Sequence, residues 1–166
     1  INKIIESRSS FDDVFEKITQ SSYFLAKAQK STFKKYWDSR LKDDQAKVNF
    51  IRGTRMQSKG KYSEAISHYK MAIKLKADYV SAHINLGNML QSKGKYSEAI
   101  SHHKMAIKLK PDYAAAHNNL GIALQSKGKN SKAIFHYKEA IKLNLNFDKA
   151  HYNLGVALVA EGKNEE

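Results

Sequence analysis

Apolar residues step along the chain as Ala82, Leu86 and Leu90, the spacing of one helix face, with Gly87 on the same side. Gly94 interrupts that run, and Ser97 with Glu98 is placed to start a second helix. There Ala99, Ile100, His103, Ala106, Ile107 and Leu109 supply the apolar face. Pro111-Asp112 closes the unit, because proline has no amide proton and cannot continue a helix. The small residues carry information of their own. Gly87 and Ala106 let two helices approach closely, where a bulkier side chain would hold them apart. Gly121 occupies the same position one unit later and is expected to lie against its neighbour helix.

This two-helix unit recurs. Gln57 to Tyr79 reads QSKGKYSEAISHYKMAIKLKADY, and Gln91 to Tyr113 repeats it except for Tyr69 against His103 and Ala77 against Pro111. Gln125 to Phe147 is a looser third copy, and Leu86-Gly87, Leu120-Gly121 and Leu154-Gly155 keep the same step of 34 residues. A repeat of that length cannot bury its own apolar face and must stack on its neighbours.

The period, the Leu-Gly pair, the following Gly-x-Tyr (Gly94-Lys95-Tyr96) and the terminal Ala…Pro (Ala106…Pro111) resemble the tetratricopeptide repeat. The likeness runs from Ala46 to the C-terminus. It implies an all-α, right-handed helical-repeat solenoid, with repeats at 46–79, 80–113 and 114–147 and the first helix of a fourth at 148–166. Some positions depart from the family pattern. His83, His117 and His151 replace a large apolar residue or Trp, Leu90 and Leu124 replace Tyr, and Arg52 replaces Leu. The chain opens at Ile1 and stops within a repeat, so it reads as a fragment of something longer. Val156 and Leu158 then belong to a surface that a second helix would cover, and such an apolar end invites self-association.

Residues 1–45 do not follow the repeat. Ser10-Phe11-Asp12-Asp13 has the form of a capped helix start, and Phe11, Val14, Phe15, Ile18 and Leu25 follow at helical spacing. A second helix is predicted from near Ser31, carrying Phe33, Trp37 and Leu41, with no Gly or Pro before Val48. This region reads as an N-terminal cap or degenerate repeat, with an aromatic interaction element built on Phe33, Tyr36 and Trp37 as the other reading.

In the family, first helices line a concave ligand groove. By that resemblance, the stripe off the Leu-Gly face would contain Phe50, Ile84, Asn85, Asn88, Asn118, Asn119, Ile122, Lys149, Tyr152 and Asn153. Asn85, Asn119 and Asn153 form a column, one per repeat, just before the Leu-Gly pair. A carboxamide donates and accepts, so it can pair with both the N–H and the C=O of a peptide bond. Asparagine is a mediocre helix former with no propensity reason to recur there. The column resembles the asparagine ladder in the superhelix of O-GlcNAc transferase. Its assigned role is to hold an extended main chain, with Phe50, Ile84, Ile122 and Tyr152 supplying apolar specificity. Another subclass of the family clamps a C-terminal carboxylate with Lys and Arg. Asn88, Asn119 and Lys149 match part of that arrangement, but Ile84 and Asn153 stand where further basic residues belong, which argues against an acidic tail.

Composition changes the picture little. The net charge of +13 suggests nucleic acid or an anionic surface. However, the lysines cluster around the glycine turns (Lys59, Lys61, Lys93, Lys95, Lys127, Lys129) and on the second helices, away from the amide-lined stripe. They are not interleaved with stacking aromatics there, which argues against a nucleic-acid groove. The chain has no cysteine, so disulfides and thiolate metal sites are excluded. That fits a reducing, cytoplasmic setting. No stretch approaches the ~20 apolar residues of a membrane span. His83, His117 and His151 recur, as do His68, His102 and His136, but equivalent positions lie two helix layers apart and cannot share one ion. No metal or cofactor is expected. Asp12-Asp13, Asp43-Asp44 and Ser67-His68 are adjacent pairs whose side chains diverge, so none forms a catalytic group. The chain is read as a scaffold or adaptor that binds a protein or peptide and is not an enzyme. Two alternatives are the substrate-binding arm of a larger enzyme, such as a glycosyltransferase, and a scaffold that assembles with itself through its C-terminal end.

Overall fold

The computed structural model describes residues 27–162, and the expectations for Ser10 to Leu25 lie outside them. Among the described residues seven helices follow one another: α1 Lys27–Ser58, α2 Tyr62–Leu75, α3 Val80–Ser92, α4 Tyr96–Leu109, α5 Ala114–Gln125, α6 Asn130–Leu143 and α7 Asp148–Ala160. The architecture is an all-α helical repeat. From α2 onward each helix packs on the next, and α3 with α5, and α5 with α7, also touch. The chain divides into two compact units, Ile1–Gln45 and Ala46–Glu166. In the first unit, α1 is already helical at Lys27, ahead of Ser31, and Phe33 and Trp37 are half-buried with ring centroids 6.4 Å apart. Tyr36 and Leu41 are exposed.

In the second unit the turn inside each repeat has one backbone solution. Gly94 adopts φ +72°, where a Cβ would be strained, and Gly60 and Gly128 repeat that conformation. Gly94 N–H donates to Gln91 O at 2.9 Å, and Lys95 N–H reaches back to Leu90 O at 2.9 Å, so the last carbonyls of α3 are capped. The next helix starts at Tyr96 with Lys95 at its N-cap and no side-chain cap, so Ser97 does not open it as the pattern suggested. Its hydroxyl instead accepts a hydrogen bond from Lys127 Nζ at 2.7 Å, as Ser63 does from Lys93 at 3.0 Å. These lysines tie the turn of one repeat to the second helix of the repeat before.

The core lies where first and second helices meet. Ala65, Tyr69, Leu86, Met89, Leu90, Ala99 and Ala123 form one buried cluster, and Leu120, Leu124, Ala133, Ile134, Tyr137 and Ala157 another. At the centre of each repeat a ring from the second helix lies on a glycine of the first. A Cβ on Gly53 would come within 2.7 Å of Tyr69, on Gly87 within 2.5 Å of His103, and on Gly121 within 2.5 Å of Tyr137. Gly121 therefore sits against its neighbour helix. The tyrosine hydroxyls complete the fit by donating to the carboxamide oxygen that follows the glycine by four residues. Tyr69 reaches Gln57 at 2.7 Å and Tyr137 reaches Gln125 at 2.8 Å.

The second repeat breaks this rule. His103 is fully buried, and neither of its ring nitrogens nor Gln91 Oε1 has a hydrogen-bond partner. The imidazole is shorter than a phenol and does not span the gap to Gln91. Each buried polar atom left unsatisfied costs about 1–3 kcal/mol.

Two stability outcomes follow. Gly121→Leu is expected to lose roughly 1–3 kcal/mol by overpacking against Tyr137. Gly155→Leu, at the equivalent position of α7 with nothing within 4 Å, is expected to lose none. Equal melting temperatures for the two variants would contradict the packing role of the ring. His103→Tyr recreates the pair found in the flanking repeats and is expected to gain about 1 kcal/mol, a rise of about 3 °C in melting temperature by calorimetry.

Candidate functional site

Helices α3, α5 and α7 bring Asn85, Asn119 and Asn153 to equivalent positions, and each carboxamide is used structurally. Asn85 Nδ2 donates to the Tyr69 hydroxyl at 3.3 Å, Asn119 Nδ2 to Asn88 Oδ1 at 3.0 Å, and Asn153 Nδ2 to Asn118 Oδ1 at 2.9 Å. All three bonds reach back into the preceding repeat, so the column staples successive repeats together. That explains the recurrence of a poor helix former better than solvation or capping does. It also consumes only part of each group. A carboxamide offers two donors and two lone pairs, and only one donor is taken here, which leaves Oδ1 and the second N–H.

The other residues of the expected stripe divide by burial. Ile84 is only 7% exposed and packs with Ala106 and Ala116, and Asn118 is buried while accepting from Asn153. Neither presents itself to a ligand as the resemblance implied, because the contact between repeats takes that side of the helix. Phe50 is half-buried and stacks on Tyr79 and Tyr69, with centroids 5.0 and 5.8 Å away. Ile122 is half-buried against the second core cluster. Asn88 is half-buried, whereas Lys149 and Tyr152 are exposed, Tyr152 by 73%. Accessible chemistry on this face is therefore mainly amide, with one cation and one aromatic towards α7.

The recurrent histidines pair within a repeat. His83 Nε2–H donates to the Ala77 carbonyl at 3.0 Å, which leaves its Nδ1 as acceptor for His102 Nδ1–H at 3.0 Å. His117 repeats this with Pro111 O at 3.1 Å and His136 at 3.3 Å. In the first repeat Asn49 Oδ1 takes the place of the acceptor imidazole, facing His68 Nδ1 at 3.2 Å. The residues that depart from the family pattern are thus loop anchors that lock first helix to second. The sequence carried a signal for this, a His-His spacing of 19 residues at 83/102 and 117/136. Among the described residues, no three His, Cys, Asp or Glu groups come together so as to hold a metal ion. None of the described helices is long and apolar enough to cross a membrane.

The TPR repeat family model matches residues 57–94, 87–128 and 124–162. No curated protein matches the chain. Among solved structures, the first TPR of Spaghetti (RPAP3) bound to the HSP90 peptide SRMEEVD is similar, with a TM-score of 0.71 and 23% identity, over 72% of this chain and 95% of that one. The Arabidopsis OM64 TPR domain superposes with a TM-score of 0.68 at 16% identity, over 70% of this chain and 96% of that one. The Sgt2 TPR domain from Aspergillus fumigatus gives 0.67 at 19% identity, over 71% and 80%.

The buried imidazoles set a pH dependence. Burial holds His103 down to about 4, helped by neighbouring His102. Burial also lowers His136 to about 4, with His117 and Lys104 adding to it and Glu139 opposing. His102 shifts the same way through burial, His83 and Lys70, against Glu98. A folded-state value below the ordinary 6.5 means that the unfolded chain binds the proton more tightly. Stability from these groups is complete above about pH 6.5 and falls as pH drops from there towards 4. Melting temperature is expected to fall between pH 7 and pH 4.5, and His103→Tyr to lessen the fall. A flat profile in the unsubstituted chain would contradict neutral burial of these rings.

Proposed function

Because the chain belongs to the tetratricopeptide repeat family, we propose that it is a protein-interaction module, holding an extended segment of a partner against the first helices of its repeats. The observation that carries this reading is the column of Asn85, Asn119 and Asn153, whose Oδ1 atoms and second N–H groups are not used among the described residues. Three carboxamides, one per repeat, can pair with a peptide backbone, which offers alternating donors and acceptors whatever its side chains. Tyr152 and the half-buried Phe50 and Ile122 then select among segments by apolar contact. Asn88 supports Asn119 from the neighbouring helix, and Lys149 meets an acidic side chain or the end of the segment.

A neighbour of this fold binds an HSP90 peptide, which supports a peptide as the ligand class. An acidic tail is not the ligand proposed here. Ile84 and Asn153 occupy places where a carboxylate clamp has cations, and Ile84 is buried. The module acts by binding alone and is not an enzyme. The lack of cysteine is in keeping with a cytoplasmic setting. The same site would serve equally as the substrate-holding arm of a larger enzyme.

A second reading is self-association through α7, favoured by Val159 at 68% exposure and by the open space over Gly155. Light scattering that stays at the monomer mass from micromolar to millimolar chain would dismiss it.

The groove reading is tested on a random-peptide array with the unsubstituted chain and an Asn85→Ala/Asn119→Ala/Asn153→Ala variant, with helicity followed by circular dichroism at the assay temperature. The expected outcome is binding of extended peptides by the former and a loss of about tenfold or more in the latter, about 1.4 kcal/mol, with helicity retained. Equal binding by a folded triple variant would remove the column as the site.

A further inference from the structure

The three copies of the second helix are not equivalent at its start. In α2 and α4 the lysine before the helix is neutralised three residues later, Lys61 by Glu64 at 3.0 Å and Lys95 by Glu98 at 3.3 Å. In α6 that glutamate is replaced by Lys132, so Lys129 faces a second cation in place of an anion. Two turns' worth of side chains diverge together. Where the first two copies carry Ser67 and Ser101, the third carries Phe135, which is 58% exposed. An ion pair and a serine have become two lysines and an aromatic ring on the same helix.

The changed residues border one cleft of about 310 Å3. Ile100 and Leu124 supply apolar lining, Phe135 forms an aromatic wall, and Lys104, Lys129 and Lys132 surround them. Among the described residues none of these lysines has an acidic partner within ion-pair distance. Glu139 is the acidic residue felt by neighbouring His136, and Lys104 opposes it there. Phe135 packs edge-on against His136 with centroids 5.1 Å apart, which holds the ring in place. Clustering like charges works against the fold, since like charges one turn apart on a helix repel by a few tenths of a kcal/mol. The sister copies show that the fold requires neither that cluster nor the exposed ring.

We propose that this cleft, formed by α4, α5 and α6, is a second docking surface, and that its occupant is an acidic segment of a partner protein carrying an apolar side chain. The segment's carboxylates would pair with Lys104, Lys129 and Lys132, and its apolar side chain would rest on Phe135, Ile100 and Leu124. Charge complementarity selects the acidic partner, and the apolar floor distinguishes it from a bare polyanion. One aromatic wall without a row of further rings gives no stacking track for successive bases, which sets nucleic acid aside. The surface is separate from the asparagine column and goes beyond the groove reading, so either can stand without the other.

The test uses fluorescence anisotropy with the full chain and four labelled probes. The first is a twelve-residue peptide of alternating Asp and Glu with three leucines. The second has those leucines changed to serine, the third is an oligodeoxythymidine of equal charge, and the fourth is phosphatidylserine vesicles. The variants are K132E, F135S and their combination, each restoring a residue that the first two repeats already carry, so the fold is kept. The combined variant is expected to bind the leucine-bearing peptide at least about tenfold more weakly, and the serine peptide to bind the unsubstituted chain several-fold more weakly than its leucine counterpart. The Asn85→Ala/Asn119→Ala/Asn153→Ala variant is expected to keep the leucine-dependent part of the binding that the combined variant loses. The proposal is overturned by failure of the unsubstituted chain to bind that peptide, by undiminished binding in the combined variant, or by equal or tighter binding of the serine peptide, oligonucleotide or vesicles. Loss of peptide binding in the asparagine variant alone would move the acidic segment to the groove and overturn it too.

Discussion

How closely the two helices of a repeat can approach is set by a ring lying on a glycine, and the remaining contacts of the repeat depend on that distance. Tyr69 on Gly53 and Tyr137 on Gly121 put a phenol hydroxyl within reach of a glutamine one turn further along. The same closeness brings the histidine of the first helix within hydrogen-bond distance of the histidine on the second. With the helices closed, alanines suffice for much of the core. Ala65, Ala72, Ala99, Ala106, Ala133 and Ala140 are all fully buried. In the middle repeat His103 keeps the ring but loses the hydrogen bond, leaving three polar atoms without partners. That repeat carries the unsatisfied polar atoms, and its cost grows in acid.

Contacts between repeats work differently. Beside apolar packing they include polar bonds that run from one copy to the next: Asn119 to Asn88, Asn153 to Asn118, Lys93 to Ser63 and Lys127 to Ser97. A repeat that stacks must bind its successor as well as itself, and near-identical copies supply the same donor and acceptor at every step. Such duplication leaves two chemically distinct faces. The first helices present neutral amides, and the second helices present cations. Where a copy escapes the duplication, as at Lys132 and Phe135, the packing is kept and only the surface changes.

Much of the fold was legible in the sequence because the 34-residue period is nearly exact in the first two copies and the Leu-Gly pair marks every first helix. Gly121 and the turn at Gly94 were placed correctly from spacing alone. Single-residue roles were harder to read. Ser97 looked like a helix cap, but the chain caps the preceding helix through Gly94 and begins the next at Tyr96. Ile84 and Asn118 lie on the face that the family resemblance assigns to the groove, yet both are buried by neighbouring helices. One helix's periodicity says which residues share a side, and only the stacking angle says how much of that side the next repeat covers. The asparagine column was visible as a recurrence, whereas its bonds to the preceding repeat depend on a distance that no spacing encodes.

On the proposed groove reading, Asn85, Asn119 and Asn153 keep enough hydrogen-bonding capacity to hold a peptide backbone while stapling the repeats. The most direct measurement is a titration of the 15N-labelled chain with an extended, uncharged peptide, following side-chain carboxamide resonances. The expected result is that the Nδ2 signals of all three residues move together, with one saturation point, while that of buried Asn118 stays fixed. Movement confined to backbone amides elsewhere, with the three carboxamides unmoved at saturation, would contradict it.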